Sequence, residues 1–389
     1  MNTEMVGHCS NKFEDILIEK KDYMENRNNL KGGLSRRKFL GNTAAIAAFS
    51  MIPASSFGKD PFIAEAEAGA APDSKFGGVQ IGAITYSWRS MPGGCDNIIK
   101  YCTEAGINSI ELMSGDVESD LGAPKNPMQG MMGPRPAAPP PSSSTEAAPP
   151  AAAPGAPPSG PPQRRQLTPE QQAQVDKFNQ DLKQWRLSVP MTKFTELGKK
   201  FSDAGIKIHI VKFSPSRWSD EEIDYAFKAA KAMGAKGVCD EIGEEAVKKL
   251  SPIAAKHGMY AIFHNHMQFA TEGFSYDPFL AVSPAVMMNF DCGHFFGSTG
   301  IHPNTIIEKY HDRIFSIHIK DKTGPKTDPA NMNQVWGQGE VPIADVLLLL
   351  KSKKWPIPVH IELEYDVKPW SNAVKETKTC VQYARQILM

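Results

Sequence analysis

Eight short apolar runs, spaced by stretches of helical periodicity, restrict this chain to very few folds. They occupy residues 78–86, 107–113, 206–213, 235–241, 259–266, 286–294, 314–321 and 357–364. Helices are expected between them at 95–105, 191–203, 220–233, 244–257 and 341–353, with a closing helix at 371–388. In the third of these, Ile223, Phe227, Ala230 and Met233 recur at the spacing of one helix face. Gly106, Gly205 and Gly258 follow helix ends, where a left-handed cap favours glycine. Strand, helix, glycine, strand is the rhythm of a parallel sheet. Without its N-terminal extension and one insertion the chain keeps about 250 residues, the usual size of a closed eightfold barrel. The expected class is α/β, a (β/α)8 TIM barrel. An open doubly wound sheet would want a first turn of the G-x-G-x-x-G kind, whereas the first run here ends in Tyr86-Ser87-Trp88-Arg89.

Two segments stand outside that rhythm. Residues 1–60 read as an N-terminal extension with a leader at about 34–58, in which Arg36-Arg37 precede a mildly apolar run and the small residues Ala54-Ser55-Ser56. This resembles a twin-arginine export leader; the alternative is a basic turn before a buried helix. The apolar run falls short of the roughly 20 residues a membrane span needs. Met24 is a candidate start as well as Met1. The expectation is an exported, periplasmic protein that meets the twin-arginine translocase in transit and keeps no membrane span. The second segment, an insertion over 122–190 after the second strand, is rich in Pro, Ala, Ser and Gly to about residue 162 and then turns helical from Pro169 to Trp185. Its first part has too little apolar bulk to offset the entropy of ordering, so it is expected to be disordered.

Lys plus Arg number 43 and Asp plus Glu 43, so the formal charge is zero. Nucleic-acid partners are therefore not expected, since a basic excess normally supplies that affinity. Of the six cysteines Cys9 precedes the leader, and Cys95, Cys102, Cys239, Cys292 and Cys380 show no CxxC spacing. Buried free thiols are expected.

The later runs end on groups that are costly to bury unless something binds them. His264 and His266 close the fifth, Asp291 and His294 the sixth, His318 and Lys320 the seventh, Glu362 and Glu364 the eighth. Active sites of parallel barrels lie at these strand ends. Strand residues two apart share a face, so His264 with His266, and Glu362 with Glu364, each offer two groups to the mouth. Mixed nitrogen and carboxylate ligands suit a divalent cation such as Mn²⁺, Co²⁺, Fe²⁺, Zn²⁺ or Mg²⁺.

The stretches Thr85-Tyr86-Ser87-Trp88-Arg89, Phe263-His264-Asn265-His266, Phe290-Asp291-Cys292-Gly293-His294, His318-Ile319-Lys320-Asp321, Gly337-Gln338-Gly339-Glu340 and Ile361-Glu362-Leu363-Glu364 resemble the xylose isomerase-like TIM-barrel superfamily. That superfamily holds sugar phosphate isomerases and epimerases, ketose 3-epimerases, inosose dehydratases and endonuclease IV. The resemblance covers the barrel but neither leader nor insertion. It implies one divalent metal ion held by Asp291, His318 and Glu362, with His266 and His294 close to the substrate. Many relatives carry a glutamate where this chain has His264. Either His264 takes over the ligation or Glu241, on the fourth strand, reaches in; the reading adopted makes His264 the ligand and Glu241 the base. Lys320 would add positive charge near a developing oxyanion. Tyr86, Trp88, Glu111, Glu364 and Trp336 are assigned to the substrate pocket, with core or rim packing as an equal alternative for the three aromatics. His209, His257, His302, His311 and His360 are read as core or surface histidines. Gly337-Gln338-Gly339 could admit a phosphate, but a plain tight turn is the simpler reading.

The function these readings imply is a metal-dependent sugar isomerase or epimerase working through an enediolate on a small-molecule sugar. A lyase or dehydratase acting on a keto-sugar or keto-glycoside would use the same site, and a non-catalytic sugar-binding protein is a third alternative. A DNA-repair endonuclease fits poorly with the balanced charge. Self-association into a homo-oligomer is left open.

Overall fold

The computed structural model describes residues 71–127 and 167–389, all within the second of the chain's two compact units, residues 69–389. The leader, Cys9 and the Pro/Ala-rich part of the insertion at 128–166 lie outside the described residues.

In chain order the elements are β1 (Val79–Ile84), α1 (Cys95–Ala105), β2 (Ser109–Met113), α2 (Ser114–Asp120), α3 (Pro169–Ser188) and α4 (Met191–Asp203). Next come β3 (Lys207–Lys212), α5 (Asp220–Ala232), β4 (Gly237–Glu241), α6 (Glu244–His257), β5 (Tyr260–His264) and a single turn, α7 (Asp277–Leu280). They are followed by β6 (Val286–Asp291), α8 (Cys292–Thr299), α9 (Asn304–Tyr310), β7 (Ile314–Ile319), α10 (Ile343–Lys353), β8 (Val359–Ile361) and α11 (Ala373–Leu388). Every strand pairs in parallel with its successor, and β8 returns to β1 through Val359 with Ile81 and Ile361 with Ala83. The sheet is thus a closed (β/α)8 barrel. A two-residue strand, Lys75–Phe76, pairs antiparallel with the start of β1.

Sequence dictates the closure locally. The helices between strands bury apolar stripes: Phe194 and Phe201 from α4, Phe227 from α5, Leu250 from α6, and Val346, Leu347 and Leu350 from α10. α1 and α6 stop at Gly106 and Gly258, both left-handed with φ of 76° and 63°. Within the ring, Ile210, Cys239 and Ile262 form a small apolar layer. Two residues further along the same strand faces come Lys212, Glu241 and His264, so the period of two carries the polar set to the mouth. Gly82 lets β1 approach its neighbours, because a side chain there would press on the Ser109 backbone and, at 3.0 Å, on the His360 ring.

The strands are shorter than their apolar runs. β5 ends at His264 and β8 at Ile361, so His266, Glu362 and Glu364 lie beyond the ladder and strand alternation does not position them. β6 ends at Asp291, and His294 belongs to the first turn of α8, not to the strand. Asp291 caps that helix by accepting the His294 backbone N–H at 2.7 Å. α3 is fastened to the barrel by Arg186, which donates to both oxygens of Glu118 at 2.8 and 3.1 Å and to Glu222 at 3.2 Å. Among the described residues the five cysteines are buried and unbridged, and no helix is long and apolar enough to cross a membrane.

Candidate metal centre at the barrel mouth

Asp291 and His318 are register partners at the ends of β6 and β7, and Glu241 and His264 at the ends of β4 and β5. Asn265 fixes the Asp291 backbone, donating to its carbonyl at 3.2 Å and accepting its N–H at 3.0 Å. Glu362 stays tied to β7 because its N–H donates to the Ile319 carbonyl at 3.0 Å. The outcome is a buried group of four, His264, Asp291, His318 and Glu362, with one donor atom from each lying within 4.8 Å of the others. Metal–ligand bonds of about 2.1 Å place such donors roughly 3–4 Å apart, so small side-chain adjustments suffice.

Two further observations fit these residues to a cation. His264 Nδ1 is buried without a hydrogen-bond partner, and Asp291 Oδ2, although 3.1 Å from Lys320 Nζ, accepts no aligned hydrogen bond. Buried polar atoms are rarely left so. The donor set of two imidazoles and two carboxylates is also one that divalent transition metals accept. Glu111 orients His318 from outside the group of four, its Oε2 standing 2.8 Å from Nε2, while Nδ1 stands 2.8 Å from Oε2 of the fellow donor Glu362. A carboxylate behind a ligating imidazole is the usual outer support of such sites.

The electrostatics follow from these contacts. Burial pulls the His318 pKa down, but Glu111 and Glu362 overcome it and raise it to about 10. Burial, with Lys212 and His318 adding to it, holds His264 well below the ordinary imidazole value and therefore neutral. Lys320 is fully buried against Glu364 at 2.8 Å, Glu362 at 3.0 Å and Asp291 at 3.1 Å; burial alone would lower its pKa, and these carboxylates raise it. His294, with Nε2 at 3.0 Å from Lys320, is lowered to about 3 by burial and by that ammonium, and its Nδ1 has no partner. Gly293 is required here, because a side chain at that position would collide with the Lys320 stem and lie 2.7 Å from its carbonyl oxygen.

On the β3–β5 side, Lys212 donates to Glu241 Oε1 at 2.7 Å, and His266 Nε2 stands 3.0 Å from Glu241 Oε2. Burial would raise the Glu241 pKa, but His266 and Lys212 bring it below the ordinary value; His266 is raised by the same contact.

The remaining pocket assignments divide. Glu364 is at the mouth on Lys320, 3.7 Å from His294. Glu111 is not a pocket wall: it is fully buried on β2 and hydrogen-bonded to His318 and, at 2.9 Å, to Asn289. Tyr86 and Trp88 line a separate cavity at the ends of β1 and β2 with Met113 and Phe178. Trp88 is itself buried there, its indole N–H donating to Thr377 at 3.1 Å. Trp336 is buried edge-on against Tyr383, 6.0 Å between ring centroids. His360, read as a core histidine, is buried with Nδ1 3.6 Å from Glu111 Oε2. Lys212 and Asn289 were not singled out from the sequence. Lys212 closes an apolar run as Lys320 does, and that signal would have found it.

A closed barrel with a nitrogen-and-carboxylate cluster at its strand ends defines the class. Residues 204–384 match the family model described as xylose isomerase-like TIM barrel, and the chain carries that fold. No curated protein matches it. Among solved structures, a sugar phosphate isomerase/epimerase from Parabacteroides distasonis ATCC 8503 is 16% identical, with 87% of this chain and 100% of that one covered and a TM-score of 0.48. The 3-keto-D-glucoside 4-epimerase YcjR from E. coli is 11% identical over 79% of this chain and 99% of its own, with a TM-score of 0.48. The IolI protein with a bound zinc atom is 14% identical over 80% and 99%, with a TM-score of 0.49.

Proposed function

We propose that the chain is a divalent-metal-dependent isomerase or epimerase acting on a sugar or sugar derivative through an enediolate. The observation that carries this is the convergence of four buried donor atoms, from His264, Asp291, His318 and Glu362, within 4.8 Å, with the Glu241 carboxylate and the Lys320 ammonium on neighbouring strand ends. A cation held there would supply Lewis acidity at the carbonyl and adjacent hydroxyl of a sugar. Glu241 is the proton acceptor: Lys212 fixes one oxygen, and the other faces His266 at 3.0 Å. It takes the proton from the carbon next to the carbonyl. Lys320 stabilises the charge that develops on oxygen. His294 is neutral and its Nε2 faces the Lys320 ammonium at 3.0 Å, so its unpartnered Nδ1 carries the proton and can donate to a sugar oxygen. Return of the proton to the neighbouring carbon gives isomerisation, and return to the opposite face gives epimerisation.

The test is metal analysis of the purified wild type beside Asp291→Ala and Glu362→Ala, followed by incubation with ketoses and keto-glycosides in deuterated water. The expected result is a metal-loaded wild type, metal-free variants, and solvent deuterium in a sugar of unchanged composition. Glu241→Gln should lower kcat by about 10²–10⁴-fold while retaining metal. A wild type that binds no divalent ion sinks the proposal, and release of water or aglycone turns it into an elimination.

A further inference from the structure

Barrel enzymes commonly bind a substrate phosphate in the loops after strands 7 and 8 and at the N-terminus of a nearby helix, where free backbone N–H groups converge. The Gly337-Gln338-Gly339 turn after β7 has the composition for such a cradle. Its amides are already used. Asp321, buried at the end of β7, accepts the N–H of Gly337 at 2.8 Å and of Gly339 at 2.9 Å on one oxygen. On the other it accepts Val341 at 3.2 Å and Lys322 at 2.9 Å. The glycines make room for this resident carboxylate: a side chain at Gly339 would overlap Asp321 and stand 2.8 Å from the Lys322 nitrogen. After β8 the pattern repeats, because the Asn372 side chain takes the first free amides of α11, from Val374 at 3.1 Å and Lys375 at 3.0 Å.

The lysines nearby are committed as well. Lys320 is held by three carboxylates and Lys212 by Glu241. Lys322 is buried, donates to Asn333 at 2.9 Å, and has its pKa lowered by burial and by Lys320. Arg89 turns one guanidinium nitrogen to the Tyr86 and Leu363 carbonyls and lies 4.5 Å over the Tyr86 ring. Glu111, Glu241, Asp291, Asp321, Glu362 and Glu364 outnumber the three lysines and the His318 imidazolium in and beneath the mouth. That excess of negative charge does not favour a phosphate dianion.

We infer that the substrate is a sugar without a phosphate group, and that Asp321 determines this by occupying the amides a phosphate would need. The inference rests on the proposed isomerase or epimerase activity and narrows its substrate class. Recognition then falls to hydroxyl and carbonyl oxygens.

The test uses the full metal-loaded chain and matched pairs of a ketose and its phosphate ester. The free sugar is expected to show a kcat/KM at least about a hundredfold higher than its ester. Equal or faster turnover of the ester overturns the inference. If neither form is turned over, the proposed activity is what fails, and calorimetric titration of the same pairs decides: an ester that binds tighter than its free sugar overturns the inference, and one that binds no tighter upholds it. Asp321→Asn, which removes the charge at nearly constant size, should narrow the gap between ester and free sugar about tenfold. Should that variant fail to fold, the wild-type comparison still decides.

Discussion

Two buried ionic clusters on this barrel look alike until their unused atoms are compared. At the mouth Lys320 is shared among Asp291, Glu362 and Glu364, yet His264 Nδ1, Asp291 Oδ2 and His294 Nδ1 lack aligned partners. On the outer wall Arg186 is shared between Glu118 and Glu222, Tyr225 donates to Glu118 at 3.1 Å, and the guanidinium lies 3.5 Å over the Trp218 ring. No buried polar atom of that outer group is left over. Both clusters take charge out of water at a cost of several kcal/mol per ion. Leftover hydrogen-bonding capacity, more than buried charge, separates a ligand site from a clamp.

The comparison breaks most sharply at Arg186. Arg186→Ala leaves Glu118 and Glu222 buried and unpaired, and should cost about 3–5 kcal/mol in the denaturant midpoint with metal stoichiometry unchanged. A loss near zero would mean the outer cluster is no clamp.

A smaller effect sharpens the other side. A divalent ion at about a hundred times its dissociation constant should stabilise the wild type by about 2.7 kcal/mol, read as a thermal shift, and leave Asp291→Ala where it was. Equal shifts in both proteins would place the ion elsewhere.

The smallest effect concerns His209, a half-buried polar group that belongs to neither cluster. Burial first, and then the His360 ring, lower its pKa to about 3. The unfolded chain takes up this proton near pH 6.5 and the folded chain only near 3, so the stability present above 6.5 is lost progressively as the pH falls through that window. His209→Gln should reduce the loss between pH 6.5 and 4 by about 1–2 kcal/mol in acid denaturation curves. An unchanged curve would mean that this imidazole is solvated.

Some of this was legible along the chain. Strand-end residues such as Asp291, His318 and Glu362 stood out because an apolar run that stops on charge needs a reason, and glycines such as Gly258 marked where helices end. The run lengths misled, because apolar character continues past the last ladder hydrogen bond. His266 and His294 therefore looked like strand residues, when one lies in a loop and the other in a helix turn. Glu111 read as a pocket wall because nothing local shows that it meets a histidine 207 positions later.

By itself the sequence determined the alternation of strands and helices, since hydrophobic period and glycine placement are local properties, and it named the chemistry available at the strand ends. Tertiary structure decided which of those groups share a space. Ring closure brings β2 against β7 through the barrel interior, sets Lys212 on Glu241, and turns Asp321 onto the amides of its own loop. The first joins elements 207 positions apart, and the other two join a strand end to its neighbour or to its own loop, so hydrophobic period and glycine placement encode none of them.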